Sequence, residues 1–270
     1  MITKLAEATD AEVYGGKAAQ LGAAIRAGLP VPGGYALSSD AVEAVVSEDA
    51  AALAEIAAAA AEVGRSAVRS SALDEDSADA SFAGAHLSVL GVQGPEAIVA
   101  AICAVRRSGQ NAGAVSYRAQ MGLDLTARMA VVLQSLIDAD AAGVLFTRNP
   151  VTGADERVIE ATWGLGEAVV SGLVTPDSYR VARGGQELER TLGDKDIAVR
   201  PTRTGPEPTE EVPVRADLVD VFCLDEARLA ALDALATTCD EVFGSTDHDI
   251  EFAFRGDDLY LLQRRPITRA

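Results

Sequence analysis

A chain of 270 residues is long enough for one large domain or for two lobes, each with its own core, and at 49% apolar residues burial is not limiting. A formal charge of −18 and a pI near 4.4 repel phosphate backbones and anionic bilayers, which argues against nucleic acid or a membrane surface as partner. An anionic small ligand would have to be met by a few well-placed basic residues instead of a basic patch.

Met1–Leu5 lacks the apolar core of a signal peptide, and the longest apolar stretches, near Ala57–Ala61 and Ala97–Val105, are too short to span a bilayer. A cytoplasmic protein is therefore expected. Ala18, Leu21 and Ile25 share one helical face, and Gly28 and Pro30 stop that helix. A second helix is predicted from about Asp40, and an alanine-rich one from Asp49 to Val63, ended by Gly64. Ser66–Arg69 and Leu87–Val92 read as short strands. Pro95 suits the first turn of a helix that carries Ile98, Ile102 and Val105, and a further helix is predicted over Ala112–Met121.

The middle of the chain is rich in strand signals: Met129–Ile137, Gly143–Thr147 and Arg157–Ala161, with weaker candidates at Ser178–Ala182 and Ile197–Arg200. Pro201–Pro213, without periodicity, reads as an exposed loop. Leu229, Leu232, Leu235, Cys239 and Val242 recur at helical spacing up to Gly244. Two strands, Asp249–Phe254 and Leu259–Gln263, follow. Cys103, Cys223 and Cys239 form no metal-ligand spacing and read as reduced thiols. There is no internal repeat. Consecutive strands mixed with helices predict an α/β (mixed α+β) chain with two lobes, over 1–130 and 131–270, and not a doubly wound sheet.

Four segments carry chemistry. Gly15-Gly16-Lys17 lets backbone amides and a point charge approach a phosphate, or is a turn before a helix with a solvated lysine; it lacks the spacing of a P-loop. Val68-Arg69-Ser70-Ser71 ends an apolar strand in an arginine fork suited to phosphate oxygens, or to Glu75 or Asp76 across a loop; Ser81–Gly84 then offers a glycine loop. Gly164-Leu165-Gly166-Glu167, followed by Ser171-Gly172 and Pro176-Asp177, could form an anion-binding turn. In Asp249–Phe254, alternation puts Ile250, Phe252 and Phe254 on one face and Asp249 and Glu251 on the other. Glu251 and Gln263 are hard oxygen ligands suited to Mg²⁺, and Arg265 could meet the same phosphates; otherwise these charges are the solvated face of an edge hairpin.

In this order the segments resemble the ATP-grasp domain found in phosphoenolpyruvate synthase, pyruvate phosphate dikinase and rifampin phosphotransferase. The matching stretches are Gly15–Pro32, Val68–Gly84, Val131–Pro150, Glu160–Tyr179 and Asp249–Thr268, nearly the whole chain. The resemblance implies a two-lobed ATP-grasp fold with the nucleotide in the cleft between lobes, and ATP and Mg²⁺ as ligands. It implies that Lys17, Arg69 and Arg265 act on the phosphates, that Gly84 and Ser88 lie in and beside the loop above them, and that Gln134, Leu136 and Ile137 lie beside the adenine. Glu251 and Gln263 would bind Mg²⁺. Two positions depart from the family: Ala85 and Ser88 stand where glutamine and threonine are common.

The implied reaction cleaves ATP to AMP and phosphate and passes the β-phosphoryl group to a histidine. His86 and His248 sit in nothing like the family's phosphohistidine motif, so that histidine is expected from a separate protein or a missing C-terminal region. His248, just before the metal strand, could support the metal site from behind its ligands, but a plain surface histidine is the expectation. A nucleotide-binding regulatory subunit without turnover, or an ADP-forming ligase, would share the same site residues.

A geometric condition follows. A plain two-residue turn at Gly256-Asp257 pairs Glu251 with Leu262 and sends Gln263 to the other face. A shared metal therefore requires an odd-length turn or a bulge in this hairpin.

Overall fold

The computed structural model describes residues 1–72, 87–110, 128–202 and 207–267. The chain divides into two units, Met1–Arg26 with Pro32–Leu136, and Ala27–Val31 with Ile137–Ala270. The first unit runs through Leu136, because Met129–Ser135 is a middle strand of its sheet. The predicted helix over Ala112–Met121 lies outside the described residues.

The first unit is built on a five-stranded antiparallel sheet, in the order β1 (Ile2–Lys4), β2 (Gly34–Leu37), β5 (Met129–Ser135), β3 (Ser66–Ala72), β4 (Ser88–Val92). One face carries α2 (Ser39–Val46), α3 (Ala50–Val63) and α4 (Pro95–Ser108). Their starts follow the sequence signals. Ser38 accepts a hydrogen bond from Ala41 N, Asp49 accepts from Ala51 N and Ala52 N, and Pro95 opens α4; such a cap is worth about 1 kcal/mol. Val42, Val45, Ile56, Ile98, Ile102 and Val105 meet Val68, Val131 and Leu133 of the sheet in one core. Each fully buried side chain of this kind contributes roughly 1.5–3 kcal/mol.

The other face of this sheet is met by α1 (Ala11–Arg26). Gly15 breaks α1 with φ 80° and ψ 161°. A Cβ there would lie 2.0 Å from the Ser71 carbonyl oxygen, so only glycine allows the helix to approach the end of β3. Ser71 Oγ fastens the contact, donating to Tyr14 O (2.7 Å) and accepting from Ala18 N (3.1 Å).

The second unit contains a six-stranded antiparallel sheet, in the order β13 (Asp258–Pro266), β12 (His248–Arg255), β6 (Ala141–Phe146), β7 (Glu156–Trp163), β8 (Asp177–Ala182), β9 (Glu187–Thr191). Short helices α5 (Glu167–Val170) and α6 (Ala216–Val219) precede the long α7 (Glu226–Phe243), which Asp225 caps and Gly244 ends in the left-handed conformation. Pro30 O accepts from Leu261 N at 2.9 Å, which ties Ala27–Val31 to this unit.

The expected loop Pro201–Pro213 contains a strand instead. β11 (Thr209–Pro213) pairs antiparallel with β10 (Ile197–Pro201) as a separate ribbon. Its side chains are largely exposed on both faces, so no apolar alternation betrays it.

α7 is fastened to the sheet by buried charge. Arg157, fully buried, donates to Asp233 (3.0 Å), Thr147 O (3.0 Å), Thr237 Oγ1 (3.3 Å) and Asp240 (3.5 Å). Arg183 donates to the same Asp240 oxygen at 2.6 Å. These partners offset the desolvation of the guanidinium, and removing Asp233 would leave it only the longer contact to Asp240 as a charged partner.

Candidate functional site

In the first unit, strand alternation separates two sets of side chains. Val68 on β3 and Met129, Val131 and Leu133 on β5 face the core beneath α2–α4. Arg69 and Ser71, and Ala130, Val132 and Gln134, therefore face the α1 side. Ser71 is bonded to α1 next to Lys17, so the Gly15 break sets Lys17 and Arg69 at the same layer interface. Both are nearly buried, Lys17 at 5% and Arg69 at 7% exposure. In the register of the sheet, Ser88 on β4 stands directly opposite Arg69. Gln134, also buried, donates to Pro32 O at 3.2 Å. Leu136 ends this unit and is held by its own amide on Arg65 O at 2.9 Å. The structure thus gathers Lys17, Arg69, Ser88 and Gln134 on one face. Gly84 lies outside the described residues, as do Ala85, His86 and the alternative Arg69 partners Glu75 and Asp76.

In the second unit, the hairpin meets the geometric condition. Its turn has two residues, Gly256 and Asp257, with Gly256 at φ 59° in the position where a II′ turn takes glycine. From Arg255↔Asp258 to Phe252↔Leu261 the register is the one this turn dictates. The register then shifts, with Leu262 as the extra residue, so Glu251 stands opposite Gln263 and Asp249 opposite Arg265. All four side chains consequently share one face. Ile250, Phe252 and Phe254, at most 1% exposed, occupy the other.

Asp249 was not among the expected site residues, yet it binds Arg265 Nε through Oδ2 at 2.7 Å. Burial holds the Asp249 carboxyl above its ordinary range; Arg265 pulls it down and Glu251 pushes it up. The sequence signal was available: Asp249 and Glu251 are two apart on a strand. The row through Glu251 continues over Val144 to Glu160, so a third carboxylate lies on this face two strands away.

Among the described residues, no group of three or more His, Cys, Asp and Glu side chains gathers to hold a metal ion. One carboxylate and one amide oxygen, Glu251 and Gln263, fit the way Mg²⁺ is usually held, by few protein oxygens with the substrate's phosphates supplying others. A hollow of about 780 Å³ in the same unit is lined by Glu167, Ser171 and Gly172 of the segment read as an anion-binding turn, together with Glu210 and Glu211; Glu251, Gln263 and Arg265 do not line it. Its carboxylates would repel a triphosphate.

The structure narrows one expectation and corrects another. In the Gly164–Gly166 turn the first two amides are taken up within the protein. Gly164 N donates to Asp140 O and Leu165 N to Val199 O, both at 2.9 Å, and a Cβ on Gly164 would lie 2.5 Å from Val199 O. The glycine admits β10. Asp177 in the same segment is an interior tie point, fully buried against Lys195 (2.8 Å) and accepting from Gly193 N and Cys223 N.

His248 is not at the surface but fully buried. Its Nδ1 accepts from Arg264 Nε at 2.9 Å, which leaves its proton on Nε2, 3.5 Å from Asp240 Oδ1. Burial first, and then the charge of Arg264, lower its pKa from 6.5 to about 4, against the opposing pull of Asp240. A pKa depressed on folding contributes stability that is present above 6.5 and lost as pH falls through about 4. That contribution is on the order of 3 kcal/mol. His248→Asn, which keeps an acceptor for Arg264 but cannot titrate, should remove this acid-side loss. Thermal unfolding of both chains between pH 7 and 4 measures it; a stability difference independent of pH would contradict the assignment.

The family model for the pyruvate phosphate dikinase AMP/ATP-binding domain matches residues 49–270, most of the chain. The chain belongs to this family. A probable phosphoenolpyruvate synthase of Methanothermobacter thermautotrophicus is 41% identical over 204 residues, covering 75% of this chain and 29% of that protein. A rifampicin phosphotransferase of Streptomyces sviceus is 36% identical, covering 95% of this chain and 34% of that protein. A probable phosphoenolpyruvate synthase of Methanocaldococcus jannaschii is 32% identical, covering 96% and 26%. The dikinase-type domain thus spans about a quarter to a third of the length of these relatives. Among solved structures, the macrocyclase MdnC bound with precursor peptide MdnA, from Microcystis aeruginosa, matches loosely, with a TM-score of 0.39 at 12% identity over 93% of this chain and 52% of that one. The fold is the mixed α/β fold of ATP-grasp type expected from the sequence. No helix among the described residues of this dikinase-family domain is long and apolar enough to cross a membrane.

Proposed function

We propose that the chain binds Mg-ATP and acts as the nucleotide-cleaving component of a dikinase-type phosphotransferase. ATP is cleaved to AMP and phosphate, and the β-phosphoryl group passes to a histidine supplied by another domain or protein. The observation that carries this reading is the bulged hairpin, which gives Glu251 and Gln263 one face together with the Asp249–Arg265 pair, in a chain of the dikinase family.

Catalysis of this kind rests on positioning and on neutralising charge, because the phosphoryl group needs little covalent help from the protein. Lys17 supplies a point charge and Arg69 a fork of donors to the phosphates. Both are nearly buried, where such charges act with little solvent screening. Arg265, oriented by Asp249, offers a further guanidinium to phosphate oxygens. Gln134, Leu136 and Ile137 border the adenine, and Gly84 and Ser88 border the phosphates. A Mg²⁺ ion held by Glu251 and Gln263 would supply further neutralisation of the triphosphate.

The test is chromatography of nucleotides after incubating the chain with Mg-ATP, with and without a protein carrying a phosphorylatable histidine domain. AMP is expected, and only when that domain is present. ADP as the product would indicate ligase chemistry, and binding without cleavage would indicate a regulatory nucleotide site.

A further inference from the structure

The hairpin that carries Glu251 and Gln263 has two registers open to it. The register set by its turn, continued past Phe252↔Leu261, would place Gln263 opposite Ile250 on the buried face and Arg264 opposite Asp249. The observed register places Gln263 opposite Glu251 and Arg264 opposite Ile250. A slip of one residue moves every side chain beyond the bulge to the other face. Asp249 does not choose between the two, because an arginine meets it in either: Arg265 as observed, Arg264 after a slip. The choice falls to the buried side of the sheet.

There the observed register has a receptor for Arg264. The side chain is 8% exposed, and its guanidinium lies 4.3 Å from the centroid of the Phe243 ring. Nε and Nη2 lie 2.9 and 2.5 Å from His248 Nδ1. His248 is itself fixed. Its backbone N donates to Thr147 Oγ1 at 2.7 Å, Phe243 meets its ring edge-on at 6.0 Å, and Nε2 faces Asp240, which Arg183 and Arg157 hold. After a slip, the shorter uncharged amide of Gln263 would stand where Arg264 stands opposite Ile250.

We propose that Arg264, seated between His248 and Phe243, is the register lock of this hairpin: a positioning residue that acts from the opposite face of the sheet to hold Gln263 and Arg265 beside Glu251. The proposal rests on the reading of Glu251 and Gln263 as metal ligands. Arg264 touches neither metal nor nucleotide; it decides which face its two neighbours present.

The experiment is a titration of Mn²⁺ into the full chain with ATP present, followed by electron paramagnetic resonance, alongside ATP affinity measured in EDTA. R264M keeps the stem over Phe243 and removes the donors. It is made in a D249N background, where the pull of Asp249 on Arg265 cannot itself hold the observed register. Against D249N alone it should weaken Mn²⁺ binding at least about tenfold, in the range reached when groups supporting metal ligands are lost. Metal-free ATP affinity should fall as well, because the slip also turns Arg265 away from the phosphates, and R264K should recover part of both losses. Should R264M fail to fold, the pair R264M/H248L replaces both polar partners by apolar ones, an exchange that can be nearly neutral for stability; it should fold and show the same loss. Mn²⁺ affinity equal to that of D249N alone in folded R264M or R264M/H248L, each in that background, overturns the lock. E251A separates the two claims. If E251A loses Mn²⁺ affinity while the Arg264 variants do not, the lock alone is wrong. If E251A binds Mn²⁺ like the native chain, the metal reading falls and the lock with it.

Discussion

Arg69→Ala is expected to lower phosphoryl transfer by about 10²–10³-fold, the usual cost of removing a preorganised donor aimed at charge that develops in a transition state. Arg69 is 7% exposed, on the face of the first sheet that meets α1, with Ser88 opposite it in register. A guanidinium in so little water acts with a strength it would not have at the surface. The β3 ladder runs from Ser66 through Ser71 onto β5 by backbone bonds that an alanine at 69 leaves in place, so the fold should survive. Circular dichroism and AMP formation in the presence of a histidine-domain partner together measure the effect. Arg69→Lys should recover only part of the rate, because an ammonium keeps the charge but not the planar fork. Unchanged turnover in folded Arg69→Ala would remove Arg69 from the site.

Glu251→Ala should reduce Mg²⁺-dependent ATP affinity by about 10–100-fold or more, since losses of that size already follow from mutations one layer outside a metal's ligands. With EDTA in place of Mg²⁺ the native chain and the variant should bind ATP alike. That contrast is the informative part. A general packing defect would weaken both, and a defect confined to the metal would weaken one. Glu251 is half-buried on the face opposite Ile250 and Phe252, so the apolar core of the hairpin does not depend on its carboxylate.

Most elements with a strong local signal were legible. Asp49, Pro95 and Gly244 sit at helix ends where their chemistry puts them. The alternation Ile250, Phe252, Phe254 gave the buried side of β12. The bulge was legible as a requirement: two ligands on one face cannot come from an unbroken ladder on a two-residue turn. What was not legible lacks a local signature. β11 has no apolar face to alternate. β1 and β2, of three and four residues, are too short for a periodicity.

The charged network behind the site is the clearest case of a long-range feature. Arg157 meets Asp233 and Asp240 from 76 and 83 residues away, and His248 meets Arg264 from 16. No spacing rule links such pairs. His248 could not be told from a surface histidine until the strands were paired. Conversely, tight backbone approach to a strand and to an anion both select glycine. At Gly164 the neighbour is the strand: a Cβ there would lie 2.5 Å from Val199 O, and its amide donates to Asp140 O.

The central claim is that this chain binds ATP through Mg²⁺. Calorimetric titration of ATP into the full-length chain, once with Mg²⁺ and once with EDTA, tests it most directly. The account predicts binding of one nucleotide per chain in Mg²⁺ and markedly weaker binding in EDTA. A folded chain that takes up no ATP in Mg²⁺, or that binds equally well without it, would contradict it.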